Sequence, residues 1–374
     1  MSLSLFDSAR LRRLRTAVQR WYARHGRDLP WRENRDAYRI WISEAMLQQT
    51  TVAAVKPYFA RFLERFPTVE ALAKAPIEDV LRQWEGLGYY SRARNLHRAA
   101  QVVVQEHGGV FPPSVETLHD LPGVGRYTAG AIASFAYDIR APIVEANTLR
   151  LYCRLLGYEG DPRSKAGQTL LWEFAETILP TREAGAFNHA VMDLGATVCR
   201  PSDPDCENCP LTSCCEAFAR GTQDAIPQKA KRPELTDVID ATVVVRSGDR
   251  VLIRRRAPDE RWAGLWDYPR LTLEDAVGTG DDALHRASRD TLTGWLKDET
   301  GLAVRDWEHV TDIRHGVTRY RIRLLCFQAR AVAKSLAERD DLKWVTAAEL
   351  EATPLSMTGR KLTKLLASRQ PTLF

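Results

Sequence analysis

The chain has 374 residues, of which 44% are hydrophobic and 27% charged; these are the proportions of a globular protein too long for one ordinary core, so two domains are expected. No apolar run approaches the ~20 residues that span a bilayer, and the opening MSLSLFDSARLRRLRTAVQRW lacks an apolar stretch followed by a small-residue cleavage site, so membrane and export classes are excluded and a cytoplasmic protein is expected. The net charge of +5 is mildly basic, compatible with a nucleic-acid partner and equally with many ordinary enzymes.

Apolar spacing near 3.6 residues predicts helices in LRRLRTAVQRWYARHG, IWISEAMLQQTTVAAVKPYFARFLERF, VETLHDL and LLWEFAETIL. Breakers separate them: LPW at 29–31, FPT at 66–68, GG at 108–109 and FPPS at 111–114. Residues 1–220 therefore read as an all-α domain. The polar, proline-containing stretch at 221–236 reads as a linker. Beyond it, ATVVVRS and RVLIRRR joined by Gly248-Asp249 signal a β-hairpin. Tyr320, Ile322 and Leu324 alternate with Arg319, Arg321 and Arg323, as on a strand with one wet face. LHRASRDTLTGWLKDETG and GRKLTKLLAS look helical, so residues 237–374 form an α/β domain; no internal repeat is present.

Five of the seven cysteines fall within residues 199–215. In a chain without an export signal, clustered cysteines read as metal ligands before disulfides. Cys199-x6-Cys206-x2-Cys209-x5-Cys215 can close around one metal centre. Zinc is one reading, although zinc sites of four cysteines usually pair two short Cys-x-x-Cys units. The wider, uneven spacing suits an iron–sulfur cube better, with Cys214 as a spare neighbour.

In LPGVGRYTAGAIA (121–133), Gly123 and Gly125 permit a tight turn, and a helix starting near Arg126 points free N–H groups outward. Such a turn can hold a DNA phosphate without reading a base, though a bare Gly-x-Gly is also common in plain helix–helix turns. In SEAMLQQT (43–50), Glu44 lies among Ile42, Ala45, Met46 and Leu47. Burial on that side raises a carboxyl's pKa and keeps it protonated, as a general acid requires. The alternative is a helix-start Glu after Ser43, which leaves Gln48 and Gln49 unexplained.

LPWR (29–32), SEAMLQQT, GLGYYSRARNLHRAA (86–100), LPGVGRYTAGAI and MDLGATVC (192–199), with the four cysteines, resemble the helix–hairpin–helix base-excision glycosylases of the endonuclease III superfamily, and within it the MutY-type adenine glycosylases. The resemblance covers nearly the whole chain, more specifically in its N-terminal half. It implies a multidomain protein: an all-α helix–hairpin–helix glycosylase domain with an iron–sulfur loop holding one [4Fe-4S] cluster, then an α/β Nudix-like domain that reads the lesion. It also implies double-stranded DNA as partner, with adenine opposite 8-oxoguanine or guanine, a monomer, and a nucleoid-associated location.

By the same resemblance, Glu44 protonates the departing adenine, and Gln48-Gln49 supply the glutamine that enters the base stack. Leu87 and Tyr89 match duplex-wedging residues; Trp31 and Arg32 match positions near the adenine pocket. Gly123, Gly125 and Arg126 match the turn that grips the DNA backbone. The family's Val-Asp-Gly-Asn is here Val144-Glu145-Ala146-Asn147, so Glu145 stands at the position of an Asp that stabilises the oxocarbenium-like sugar, one methylene longer, beside a matching Asn147. The Schiff-base lysine of bifunctional relatives is replaced by Tyr127, at a position that contacts the sugar, which implies a monofunctional glycosylase.

In the C-terminal part, LKDETGL (296–302) resembles the end of a Nudix box, but Gly294 and Trp295 stand where an Arg-Glu pair belongs. Pyrophosphohydrolase activity is not expected, and Asp298 and Glu299 read as helix surface. The lesion-reading loop aligns with Val317-Thr318-Arg319, anchored on His315; Thr318 keeps the hydroxyl, and Arg319 offers donors in place of an aromatic and a His. Two other readings stand: a glycosylase for T or U opposite G, and a mismatch-binding protein impaired by Glu145. A sliding clamp is a possible partner, and the tail QPTLF (370–374) reads either as its contact or as a frayed terminus.

Overall fold

The computed structural model describes residues 6–229, 234–273, 280–332 and 339–369; the tail at 370–374 lies outside them. Two compact units are formed. One takes in the described residues up to Ala75 and those from Ser91 to 229; the other takes Pro76–Tyr90 and the described residues from 234 onward.

The first unit is helical: α1 (Ser8–His25), α2 (Ala37–Leu47), α3 (Val52–Arg65) and α4 (Val69–Lys74) are followed, after the intervening α5 (Ile77–Trp84), by α6 (Ser91–His107), α7 (Val115–His119), α8 (Arg126–Tyr137), α9 (Ala146–Leu156), α10 (Lys165–Ile178), α11 (Ala184–Thr197) and α12 (Glu216–Ala219). Buried along most of its length, α8 touches α2, α7 and α11, so whatever α8 presents at its N-terminus is held by the core.

The sequence pattern through residues 40–66 reads as one helix, but the structure breaks it. Asp36 caps the start of α2 through Tyr38 N–H at 2.9 Å. At its end, Arg92 Nη1 donates to the carbonyls of Ala45, Met46 and Gln48 at 2.7, 3.1 and 2.6 Å, satisfying acceptors that a helix terminus leaves orphaned. Gln49 then takes a left-handed backbone with φ 59°, and Thr51 caps α3. Ser43 and Glu44 thus lie inside α2, Ser43 Oγ donating to Ile40 O, which removes the helix-start reading of Glu44.

The second unit is α/β. Its strands β1 (Thr236–Ser247), β2 (Arg250–Arg255), β3 (Trp266–Asp267), β4 (Arg270–Leu273), β5 (Val304–Val317), β6 (Tyr320–Ala331) and β7 (Leu342–Val345) form one mixed sheet with the path β3-β2-β1-β6-β5; β4 also pairs with β1 and β7 with β2. β1 and β6 run parallel, and the remaining pairs are antiparallel. α13 (Asp281–Thr300) covers one face, packing Leu284, Leu292 and Leu296 on Val243, Val245, Leu325 and Phe327. α14 (Ala347–Ala352) and α15 (Met357–Arg369) cover the other, with Leu350, Leu362 and Leu366 on Val244, Ile253 and Leu324. The alternation expected of β6 holds only at its start: Leu325, Cys326 and Phe327 are all buried, because β6 lies between two strands with helices on both faces.

α5 joins this unit through charge. Glu85 accepts from Arg360 Nε at 2.8 Å and Nη2 at 3.2 Å, and both side chains are buried.

Candidate active site

Glu44, on the last turn of α2, is 5% exposed. Burial pushes its carboxyl up to about 7, assisted by the nearby Glu145 charge and opposed by the Tyr127 hydrogen bond and the Arg32 charge. The Tyr127 hydroxyl donates to Glu44 Oε2 at 2.7 Å, and burial holds the phenol well above its ordinary value, so it remains a donor. Tyr127 is the second residue of α8, so the turn before that helix fixes where the hydroxyl sits.

Glu145 is the N-cap of α9 and forms a capping box with Thr148. Its Oε1 accepts from Thr148 N at 2.8 Å; its Oε2 accepts from Asn147 N at 2.9 Å and Asn147 Nδ2 at 3.2 Å. Burial pushes this carboxyl up, but three N–H donors, the Arg150 charge and the positive end of a helix all favour its ionised form. The two carboxyls thus occupy unlike settings: one faces a phenol, the other a helix N-terminus. Asn147 Oδ1 in turn accepts from Arg150 Nη2 at 2.9 Å, and Arg150 reaches Cys199 O at 2.7 Å and Gly195 O at 2.6 Å. A continuous polar chain therefore runs from Glu145 to the cysteine segment. Gly195 permits the close approach, since a Cβ there would stand 2.7 Å from Asn147 O.

Trp31 is buried, edge-on to Phe59, and with Arg32, Phe135 and His189 it lines a cavity of about 140 Å³. Both Nη atoms of Arg32 are held by Asp193, at 2.8 and 3.0 Å, and Arg27 Nε reaches the same carboxylate at 2.8 Å. Arg32 is consequently a fixed charge near Glu44 rather than a free hand for a substrate. His189 stacks on Phe135 with ring centroids 3.8 Å apart; burial, then the Arg32 charge, lower its pKa well below the ordinary value and keep it neutral.

The turn before α8 has the form its glycines predict. Gly123 has φ +76°, and a Cβ there would stand 2.6 Å from Asn95 Cβ. Gly125 is the N-cap of α8 and makes no side-chain cap, so no cap side chain occupies the first N–H groups of α8, the groups that can take an oxygen ligand. The Arg126 guanidinium stacks on Trp172 at 3.8 Å. Gln48 ends α2 half-buried, and Gln49 is exposed.

In the second unit, Tyr89 is 49% exposed with φ 47°, whereas Leu87 is buried at 7%, the placement of a core residue more than of a surface wedge. Gln49 and Tyr89 both sit in the left-handed region, where non-glycine residues concentrate at functional turns. β5 and β6 form a hairpin that turns through Thr318 (φ 52°) and Arg319. The Arg319 guanidinium lies over the Tyr320 ring and donates to its hydroxyl at 3.2 Å. His315 Nε2 lies 3.4 Å from Arg270 Nη2, beside Trp262; burial and the Arg270 charge lower its pKa.

Cys199, Cys206, Cys209 and Cys215 line one cavity whose other walls include Leu151, Leu155, Val198 and Phe218; Cys214 does not line it and is packed in the core. Arg154 is 2% exposed, and its Nη1 lies 3.2 Å from Cys199 Sγ. A buried guanidinium facing sulfur instead of a carboxylate calls for negative charge at the sulfurs.

Sequence reading missed Arg92, Asp193, Arg150 and Arg154. Asp193, Arg150 and Arg154 are charged residues inside apolar helical patterns, the one signal that points to them, whereas Arg92 lies in the polar start of α6 and carries no such signal.

Residues 42–177 match the family described as HhH-GPD superfamily base excision DNA repair protein, and residues 241–365 match the NUDIX domain. The chain is 33% identical over 412 residues to the adenine DNA glycosylase of Rattus norvegicus, spanning 95% of this chain and 78% of that protein. It is 32% identical over 420 residues to the adenine DNA glycosylase of Homo sapiens, spanning 98% and 76%. Among solved structures, a thermostable thymine-DNA glycosylase superposes with a TM-score of 0.53 and 32% identity, over 57% of this chain and 100% of that one.

Proposed function

The chain belongs to the adenine DNA glycosylases of base excision repair, and on that premise we propose that it cuts the bond between adenine and deoxyribose where adenine stands opposite 8-oxoguanine or guanine, with Glu44 as acid and Glu145 as stabilising carboxylate. The observation that carries this reading is the unlike pair: a buried carboxyl raised to about 7 under a phenol, and a second carboxyl capped by the N-terminus of α9.

Glu44 gives its proton to a ring nitrogen of the extruded adenine, the electron pair of the glycosidic bond leaves with the base, and C1′ becomes cationic. Glu145 stabilises that cation until water adds at C1′ and releases its proton to solvent, from which the Glu44 carboxylate regains the one it gave to the base. The capping bonds support a working Glu145: they hold both carboxylate oxygens in place at the N-terminus of α9. A misplacement of ~1 Å would otherwise cost on the order of a hundredfold in rate. Tyr127 is no amine nucleophile, so base removal proceeds without a Schiff base. The turn at Gly123, Gly125 and Arg126 grips the backbone, Gln49 and Tyr89 enter the stack, and the hairpin with His315, Thr318 and Arg319 reads the opposite base.

The four cysteines fit an iron–sulfur cluster better than zinc. Zinc sites of four cysteines usually pair two short Cys-x-x-Cys units, whereas these four are spread unevenly over residues 199–215 and line one cavity. Cys199, Cys206, Cys209 and Cys215 would hold a [4Fe-4S] cluster, with Arg154 balancing its charge. Such a cluster supplies a multi-point anchor for residues 199–215, to which Arg150 ties Asn147 and Glu145.

Single-turnover base release from duplexes with A opposite 8-oxoguanine, A opposite G, and T opposite G tests the reading. Adenine release, fastest opposite 8-oxoguanine, is expected; release of thymine without adenine would overturn it.

A further inference from the structure

Away from these residues, in the second unit, His285 on α13 and His309 and Asp312 on β5 bring one ligand atom each to within 4.8 Å of one another. The arrangement depends on a backbone irregularity. Residues three apart on a regular strand point to opposite faces, but β5 shifts register between His309 and Thr311. His309 pairs with Phe327 and Asp312 with Leu325, two residues of the same face, so the bulge turns both side chains toward α13.

The donors are already oriented. The His285 and His309 rings stack with centroids 4.2 Å apart, both edge-on to Phe327. Arg323 holds Asp312 Oδ2 at 2.6 and 2.8 Å, which leaves Oδ1 facing His309 Nε2 at 2.8 Å. His285 Nε2 is buried without a hydrogen-bond partner, an uncommon condition for an imidazole nitrogen.

We propose that His285, His309 and Asp312 form a binding site for a divalent transition-metal ion, zinc by ligand type, that clips α13 to β5. Two imidazoles and a carboxylate are the donor set such ions favour, and three protein ligands leave one position for water. Arg323 takes the part of an outer residue that orients the liganding carboxylate. β5 is also the strand that leads into the Thr318–Arg319 turn, so the clip would steady one arm of that hairpin.

The test uses the full chain with its iron complement verified, to which one equivalent of Zn²⁺ is added. Calorimetry and zinc-edge X-ray absorption should show one bound zinc with nitrogen and oxygen neighbours at about 2.0–2.2 Å. His309→Ala and His285→Ala should each weaken binding by at least ~10–100-fold with iron content unchanged. His309 is partly exposed, so its replacement is not expected to unfold the domain. No binding, a sulfur shell, or zinc affinity unchanged in both variants would overturn the site.

Discussion

The Tyr127 hydroxyl and Glu44 Oε2 are joined by a hydrogen bond of 2.7 Å that stabilises the ionised form of a carboxyl which burial has raised to about 7. The phenol therefore lowers the pKa of the acid it touches. Tyr127→Phe removes the donor, and the Glu44 pKa rises further. The alkaline limb of the single-turnover rate, falling near pH 7 in the native protein, should move to higher pH in Tyr127→Phe. An unmoved limb would mean that Glu44 does not set it.

The same raised pKa makes a claim about stability. Between the ordinary carboxyl pKa and about 7, the folded chain binds a proton at Glu44 that the unfolded chain has released, so stability from this group is present at low pH and is lost as pH rises through 7. Glu44→Gln is neutral at every pH and avoids that loss. Denaturant unfolding should find Glu44→Gln more stable than the native protein at pH 8, by about 1–3 kcal/mol, with the gap closing toward pH 5.

Arg154 lies among the cysteines with hydrogen bonds to Ile226 O at 2.9 Å and Arg200 O at 2.7 Å. Arg154→Met removes a buried positive charge facing the sulfurs. Lower iron content and a loss of about 3–5 kcal/mol are expected, the scale for breaking a buried ion pair. Iron analysis and thermal unfolding check both.

At Gly123 two penalties combine: a left-handed backbone and a Cβ that would stand 2.6 Å from Asn95 Cβ. Gly123→Ala should cost about 1–2 kcal/mol for the backbone conformation alone, with weaker duplex binding because the turn and the N-terminus of α8 shift. Equilibrium unfolding and a duplex titration measure the two effects.

What the sequence made legible was local. Glu44, Glu145 and the Gly123–Arg126 turn sit in short strings that the family resemblance picks out, and the β1–β2 hairpin follows from Gly248-Asp249. The capping role of Glu145 is also local, three residues from Thr148, but the residue type does not signal it because N-caps are more often Asp, Asn, Ser or Thr. What stayed hidden depends on long-range partners. Asp193 meets Arg32 across 161 residues, and Glu85 draws residues 76–90 into the second unit by pairing with Arg360 across 275. The break after Leu47 was hidden likewise, since the residue that ends α2 is Arg92 on α6.

The most direct test of the account is single-turnover adenine release from an 8-oxoguanine:adenine duplex by the native protein, Glu145→Asp and Glu145→Gln, with duplex affinity measured alongside. A capped, ionised Glu145 predicts a native rate comparable to that of Glu145→Asp, and a loss of about 10²–10³-fold in Glu145→Gln at unchanged affinity, the scale for removing one preorganised stabilising group. A Glu145→Gln protein that releases adenine as fast as the native one would contradict it.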